Sequence, residues 1–263
     1  MQLTESLLSR FPCVVVKIGG RPTSELECMH ALADELGSLL KAGMNIAVVH
    51  GGGARVTLLS ERLGVTARFT DGVRVTGSED MLIADQVLAG EMNTELVRLL
   101  FARGVRSVGL TGCDAGLCIG TPVAEHTGTV VQTDTSVLEA LWQSRLLPVI
   151  ASVSQDEHGN PLNINADELA RGVAAGLNAA ALVYISDIPG IRIHGEVAGR
   201  LNPEEIETGI LEGEIIGGMV AKTRAAIAGL QQGIGTVCIG DYAEGGDLMM
   251  LLNGQRGTHI GTF

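Results

Sequence analysis

Two lysines raise the chemical question in this chain. Lys17 is the last but one residue of "CVVVKI" (residues 13–18), a run that reads as a buried strand, and two glycines follow Ile18. An ammonium at the end of an apolar strand is costly unless something anionic meets it. Lys222 stands in "GGMVAK" (residues 217–222), again beside paired glycines. The chain holds three lysines against fifteen arginines. The third, Lys41, falls near the C-terminal end of an expected helix, where a cation suits the dipole. A compact ammonium on a flexible stem reaches a crowded phosphate more readily than a planar guanidinium.

Other segments could carry chemistry beside them. His50-Gly51-Gly52-Gly53 follows the apolar run "NIAVV" and precedes an expected helix. Glycines there let backbone N–H groups approach an anion, and the helix N-terminus adds its dipole. The same glycines also suit a plain tight turn, and His50 suits either a hydrogen-bond network or a catalytic base. Arg74 alternates with valines in "TDGVRVT" (residues 70–76). It is either solvated or paired with a carboxylate in a bidentate bond. In "NINADELA" (residues 163–170), Asn163 and Asn165 alternate along an extended segment. Asp167 then opens a helix, either as its cap or as a carboxylate that holds lysines in place. Asp187, in "YISDIPGI", either ends a strand or frames a nucleotide. Neither early glycine loop fits G-x-x-x-x-G-K-[ST] or G-x-G-x-x-G, so P-loop and dinucleotide Rossmann sites are disfavoured.

The elements that must position these residues alternate strand and helix. Strands are expected at 13–18, 45–49, 105–110, 116–119, 127–132, 147–151, 182–186 and 236–240. Continuous Val- and Ile-rich runs of this length suit parallel strands covered on both faces. Helices are expected at 24–42, 54–63, 79–89, 93–103, 136–145, 167–177, 203–212 and 219–232. Capping boxes Ser24-x-x-Glu27 and Ser136-x-x-Glu139 mark two of their starts. Residues 154–163 read as a polar hairpin. The expected fold is α/β, built on a mostly parallel central sheet. A length of 263 residues suits one large domain or two joined lobes.

Composition removes several functions. A net charge of −12 leaves no basic stripe for nucleic acid, and it requires local cations for any anionic substrate. No apolar run is long enough to span a membrane. "MQLTESLLSR" lacks the basic start and apolar body of a signal peptide, so a cytoplasmic chain is expected. Five scattered cysteines without a Cys-x-x-Cys pair point to reduced thiols rather than a disulfide framework or zinc site.

Taken in order, Lys17–Gly20, His50–Gly53, Gly72–Thr76, Asn163–Asp167, Ser186–Gly190 and Gly218–Lys222 resemble the motifs of the amino acid kinase family, and in particular its members that act on N-acetylglutamate. The resemblance runs from about residue 13 to the "NGQRGTHI" tail. It implies a three-layer sandwich around the sheet, with two lobes sharing that sheet. Residues 1–180 would bind the amino-acid substrate and dimerise; residues 181–263 would bind ATP. It implies ATP-dependent phosphorylation of the γ-carboxylate of N-acetyl-L-glutamate, a step of arginine biosynthesis. Lys17 and Lys222 would stabilise the phosphoryl group in flight, and Asp167 would organise them. Gly52, Gly53, Arg74 and Asn163 would hold the amino-acid substrate. Gly19, Gly20, Asp187, Ile188, Gly190, Ile191 and Arg192, with Glu214, Ile215, Ile216 and Gly217, would border ATP. Mg²⁺ would arrive with ATP, without a metal site of the protein's own.

The sequence departs from the family pattern at Cys113, where many relatives carry lysine, and at Gly217, where relatives often carry aspartate. The short stretch before the first strand and the tail imply a homodimer of the arginine-insensitive type. The alternatives are a sister kinase acting on an aminoadipate derivative, or a non-catalytic ligand-binding regulator on the same fold. The G-V-R-V-T motif argues against the first. Retention of both lysines argues against the second.

Overall fold

The computed structural model describes residues 8–19, 25–66, 68–70 and 73–261. Gly20, Ser24 and Gly72 lie outside them. The chain divides into two units, residues 1–46 with 177–263, and residues 47–176. The second unit is thus an insertion in the sequence of the first.

The first unit starts with β1 (Cys13–Ile18) and α1 (Leu26–Ala42), and β2 (Asn45–His50) leads into the insertion. Val14, Val15 and Val16 are all but fully buried, as a strand covered on both faces requires. Glu25, not Ser24, is the N-cap of α1, and its side chain makes no capping bond. The helix ends at Gly43, whose left-handed φ of 104° lets its N–H reach the Leu39 and Leu40 carbonyls.

The inserted unit continues with α2 (Gly53–Arg62), the hairpin strands β3 (Arg68–Thr70) and β4 (Val73–Val75), and α3 (Ser78–Ala84). Two helices expected at 79–89 and 93–103 do not separate. Instead α3 runs through a π-helical stretch, Asp85–Met92, into α4 (Asn93–Ala102). Such wide turns shift the register of the side chains that follow them. Next come β5 (Ser107–Thr111), β6 (Cys118–Ala124), β7 (Thr127–Thr133), α5 (Ser136–Gln143) and β8 (Leu147–Ala151). The expected capping box of α5 is corrected: Thr135 is the N-cap, and Asp134 accepts the Ser136 N–H at 3.0 Å. That bond holds the Asp134 carboxyl below its usual pKa. The unit closes with β9 (Val153–Gln155), β10 (Pro161–Ile164) and α6 (Ala166–Gly176). β9 and β10 form the expected hairpin, its turn gathered by Asp156, which accepts the His158 and Asn160 N–H groups.

Within this unit β2, β8 and β5 pair in parallel. Strands β10, β7, β6 and β9 close on themselves as a small barrel of mixed direction. A cluster of Val56, Met81, Ile83, Val87, Leu88, Met92, Ala151 and Val153 packs α2, α3 and the π-helical stretch against the end of β8.

The first unit resumes with β11 (Ala181–Ile185) and a hairpin of β12 (Arg192–Ile193) and β13 (Glu196–Val197). Its two turn residues, His194 and Gly195, both have positive φ, as a type I′ turn needs. Then follow β14 (Arg200–Leu201), α7 (Pro203–Leu211), α8 (Gly218–Gln231), β15 (Val237–Gly240), α9 (Asp247–Asn253) and β16 (Thr258–Ile260). The order here is β14-β16-β15-β11-β1, parallel except for the β15–β16 pair. The chain is therefore an α/β protein on a mainly parallel sheet. No helix among the described residues is long and apolar enough to cross a membrane. All five cysteines are free thiols, and burial pushes those of Cys118 and Cys238 up to about 12.

Candidate active site

In the first unit, β1 delivers Lys17 one residue before its C-terminal end, with Ile18 between it and Gly19. A Cβ on Gly19 would come within 2.8 Å of Lys17 Nζ. The absence of a side chain there leaves room for the ammonium to fold over the strand end. Lys17 is the register partner of Tyr184 on β11. Lys222, in the second turn of α8, sets its Nζ 5.4 Å from the centroid of the same Tyr184 ring, within cation–π range. The two glycine-flanked lysines thus share one neighbour, which is fully buried. Sequence reasoning passed over Tyr184.

The segments expected to border a nucleotide belong to the same unit as the two lysines. Ser186, just past β11, donates its N–H to the Gly240 carbonyl at 2.8 Å. Asp187 and Arg192 are exposed, Ile188 is half-buried, and Gly190 is buried. Ile191 and Ile215 are core residues of this unit, 1% and 2% exposed. The Ile191 N–H is taken by Thr258 Oγ1 at 2.8 Å. Glu214 holds the β12–β13 turn, accepting from the His194 N–H at 3.1 Å and lying 3.3 Å from its Nδ1. Ile216 is exposed. Gly217 is the N-cap of α8 with φ 57° and ψ −137°, a conformation that disfavours the aspartate expected from the family pattern.

In the second unit, β2 ends in His50 and the glycine loop, and α2 begins at Gly53 with no side-chain cap. The helix's first N–H groups are therefore not taken by an Ncap side chain. Gly52 is needed for space: a Cβ there would lie 2.0 Å from Met92 Sδ and 2.8 Å from Leu88 Cδ2. His50 is fully buried, and burial lowers its pKa to about 4 against the opposing bond to the Gly51 carbonyl. It is a neutral ring inside a hydrogen-bond network, which favours the network over the catalytic base.

Arg74 is not solvated. Its guanidinium reaches Thr57 Oγ1, and Nη1 lies 3.6 Å from Asp80 Oδ1, with the side chains 9% and 6% exposed. Asp80 also accepts the Gly77 N–H at 3.3 Å. Thr127 ties this strand down, donating to the Arg74 carbonyl and accepting the Thr76 N–H, each at 2.9 Å. Asn163, on β10, donates to Thr76 Oγ1 at 2.9 Å. The main chain of Arg74 and the side chain of Asn163 are thus joined through Thr127 and Thr76. Asp167 is not the cap of α6. Asn165 caps instead, its Oδ1 accepting the Asp167 N–H at 2.8 Å, while Asp167 Oδ1 is buried. Thr57 and Asp80 were not legible as neighbours of Arg74, because nothing in the sequence links positions 57 and 80 to it.

Residues 12–241 match the model of the amino acid kinase family. The acetylglutamate kinase of Geobacillus sp. (strain WCH70) is 36% identical over 230 residues, covering 86% of this chain and 89% of that protein. The structure of N-acetylglutamate synthase from Neisseria gonorrhoeae, complexed with coenzyme A and N-acetyl-glutamate, superposes with a TM-score of 0.86 at 23% identity. It covers all of this chain and 62% of that one. Carbamate kinase from Giardia lamblia bound to AMP-PNP superposes with a TM-score of 0.66 at 17% identity, over 96% and 99% of the two chains.

Proposed function

The chain belongs to the amino acid kinase family, and from that premise we propose that it transfers the γ-phosphoryl group of ATP to the γ-carboxylate of N-acetyl-L-glutamate. The products are N-acetyl-L-glutamyl 5-phosphate and ADP, a step of arginine biosynthesis. The acetylglutamate kinase relative supports the substrate. The AMP-PNP bound by the carbamate kinase neighbour supports the nucleotide.

A carboxylate is already ionised at neutral pH, so the reaction needs no general base. Positioning and charge neutralisation do the work. Lys17 and Lys222 neutralise the phosphoryl group in flight, and Asp167 balances the charge of the lysines. The backbone N–H groups of Gly19, Gly20, Gly52 and Gly53 meet phosphate and carboxylate oxygens. Arg74 takes the non-reacting carboxylate, and Asn163 the acetylated end. Asp187, Ile188, Gly190, Ile191 and Arg192, with Glu214–Gly217, border the base and ribose; for Ile191 and Ile215 the contact is through the main chain. Mg²⁺, carried by ATP, supplies further charge neutralisation at the phosphate oxygens. The assembly we propose is a cytoplasmic homodimer, with residues 1–180 serving the amino acid and 181–263 the nucleotide.

The observation that carries this reading is that Tyr184 pairs in register with Lys17 on the neighbouring strand and has the Lys222 ammonium over its ring. These are two of the chain's three lysines. A hydroxamate trap for acyl phosphate tests it, run with ATP and N-acetylglutamate, glutamate or N-acetylaminoadipate. Signal with N-acetylglutamate above the other two is the expected result. Signal with unacetylated glutamate alone overturns the substrate assignment.

A further inference from the structure

Behind the glycine loop runs a chain of buried hydrogen bonds. Asn93 Nδ2 lies 2.9 Å from the Val149 carbonyl oxygen, 3.4 Å from that of Leu110, and 3.0 Å from His50 Nε2. On the far side of the ring, His50 Nδ1 lies 3.1 Å from the Gly51 carbonyl oxygen. Asn93 is 5% exposed and His50 not at all.

These contacts fix the proton positions. Two main-chain carbonyls only accept, so the nitrogen end of the Asn93 carboxamide must face them. The reversed amide would set oxygen against oxygen in a buried place. The Asn93 nitrogen cannot accept, so His50 Nε2, 3.0 Å from it, carries no proton. The amide's two N–H bonds serve the Val149 carbonyl and Nε2, and the Leu110 carbonyl at 3.4 Å is the weakest contact. A neutral ring then holds its proton on Nδ1 and donates it to the Gly51 carbonyl. Burial favours that neutral ring. Because a trans peptide sets N–H opposite C=O, fixing the Gly51 carbonyl also fixes the direction of the Gly52 N–H. Met92, the residue before Asn93, presses on Gly52 from the same helical turn.

We propose that Asn93 and His50 are positioning residues for phosphoryl transfer: Asn93 locks His50 in its Nδ1–H tautomer, and His50 aims the Gly51–Gly52 peptide so that its N–H meets the transferring group. The aim toward a phosphoryl group rests on the function proposed above; the locked tautomer does not.

The test therefore has two readouts. The ring nitrogens of His50 are assigned by long-range ¹H–¹⁵N NMR on the ligand-free protein, where a protonated Nδ1 and bare Nε2 are expected. An Nε2–H tautomer in the unmutated protein overturns the inference, whatever reaction the enzyme performs. The second readout compares two amides at this position. In His50→Asn the new amide nitrogen overlays Nδ1, whereas in His50→Gln it reaches only the Nε2 position. His50→Asn should keep a kcat at least about tenfold above that of His50→Gln, with KM values within about threefold, since misaimed groups cost up to about 100-fold. A merely space-filling histidine predicts the reverse, because glutamine is closer to it in size, and that ranking refutes the positioning role. Asn93→Asp should move the ring proton to Nε2 and lower kcat with it. A low kcat with the Nδ1–H tautomer unchanged counts against the relay. Should a variant fail to fold, the tautomer of the unmutated protein still decides.

Discussion

Replacing Gly52 by alanine isolates what the glycine loop requires of its surroundings. The new Cβ would stand 2.0 Å from Met92 Sδ, 2.8 Å from Leu88 Cδ2 and 3.1 Å from Met92 Cε. Carbon and sulfur in ordinary contact sit at roughly 3.5–4 Å, so Met92 must retreat by well over an ångström. Met92 is 8% exposed and packed in the cluster with Val56, Leu88 and Val153, which leaves it little room. Overpacking of this kind costs about 1–3 kcal/mol. Met92→Ala alone should cost about 2–5 kcal/mol through its cavity. In the double variant the alanine methyl enters that cavity, so the two costs should fall short of their sum by at least about 1 kcal/mol. Denaturant unfolding of the four proteins closes the cycle. Turnover supplies a second reading, since the loop displaced in Gly52→Ala should recover part of its kcat when Met92 is also truncated. Strict additivity in stability would show that Met92 is not what excludes a side chain at position 52.

The remaining predictions concern single groups. Lys17→Arg should keep the fold but lower kcat severely, because the planar guanidinium cannot lie over Gly19 as the ammonium does; near-normal turnover would remove Lys17 from the chemistry. Arg74→Ala should mainly raise the KM for the acetylated amino acid, and a rise in the KM for ATP instead would misplace the two substrates. Glu35 accepts from the Tyr242 hydroxyl at 2.9 Å and from the Gly246, Leu248 and Met249 N–H groups at 2.8–3.4 Å. Glu35→Ala should therefore cost at least about 3 kcal/mol and speed amide exchange across α9, with unchanged exchange there refuting the link. His50 is lowered from 6.5 to about 4, so the unfolded chain takes up its proton first. Stability from this group is complete above pH 6.5 and is lost as the pH falls, by up to about 3 kcal/mol near pH 4. His50→Asn should abolish that acid limb in pH-dependent unfolding.

Features governed by local chain order were legible in the sequence. Val14–Val16 read as a two-sided strand because every side chain there is apolar, and burial follows from that. The hairpin at 154–163 read from its turn residues, and the glycines at 51–53 read from their place between a strand and a helix. Features set by contacts distant in sequence were not legible. The π-helical stretch at Asp85–Met92 has an ordinary helical composition, and its purpose lies in what it touches, Gly52 and, one residue on, His50. Helix α9 was missed because its N-terminal N–H groups are capped by Glu35, more than two hundred residues earlier. Asn93 reads as a helix start, and Asp80 as an ordinary first-turn acid, until Arg74 and His50 are placed beside them.

Scarcity is a signal that could have reached further. Lysine is rare here, and two of the three lysines meet at Tyr184, Lys17 as its strand-register partner and Lys222 over its buried ring. The same count applies to tyrosine, of which the chain has two. Both are fully buried, Tyr184 facing the ammonium of Lys222 and Tyr242 donating to Glu35. A large amphipathic side chain used only twice, and buried both times, must find a partner for its ring or its hydroxyl. Its partner is then a charged group drawn in from elsewhere in the chain. Composition alone could thus have marked Tyr184 and Tyr242 as places where distant segments meet. It could not have said which segments, because a phenol accommodates a cation on its face and a carboxylate at its hydroxyl equally well.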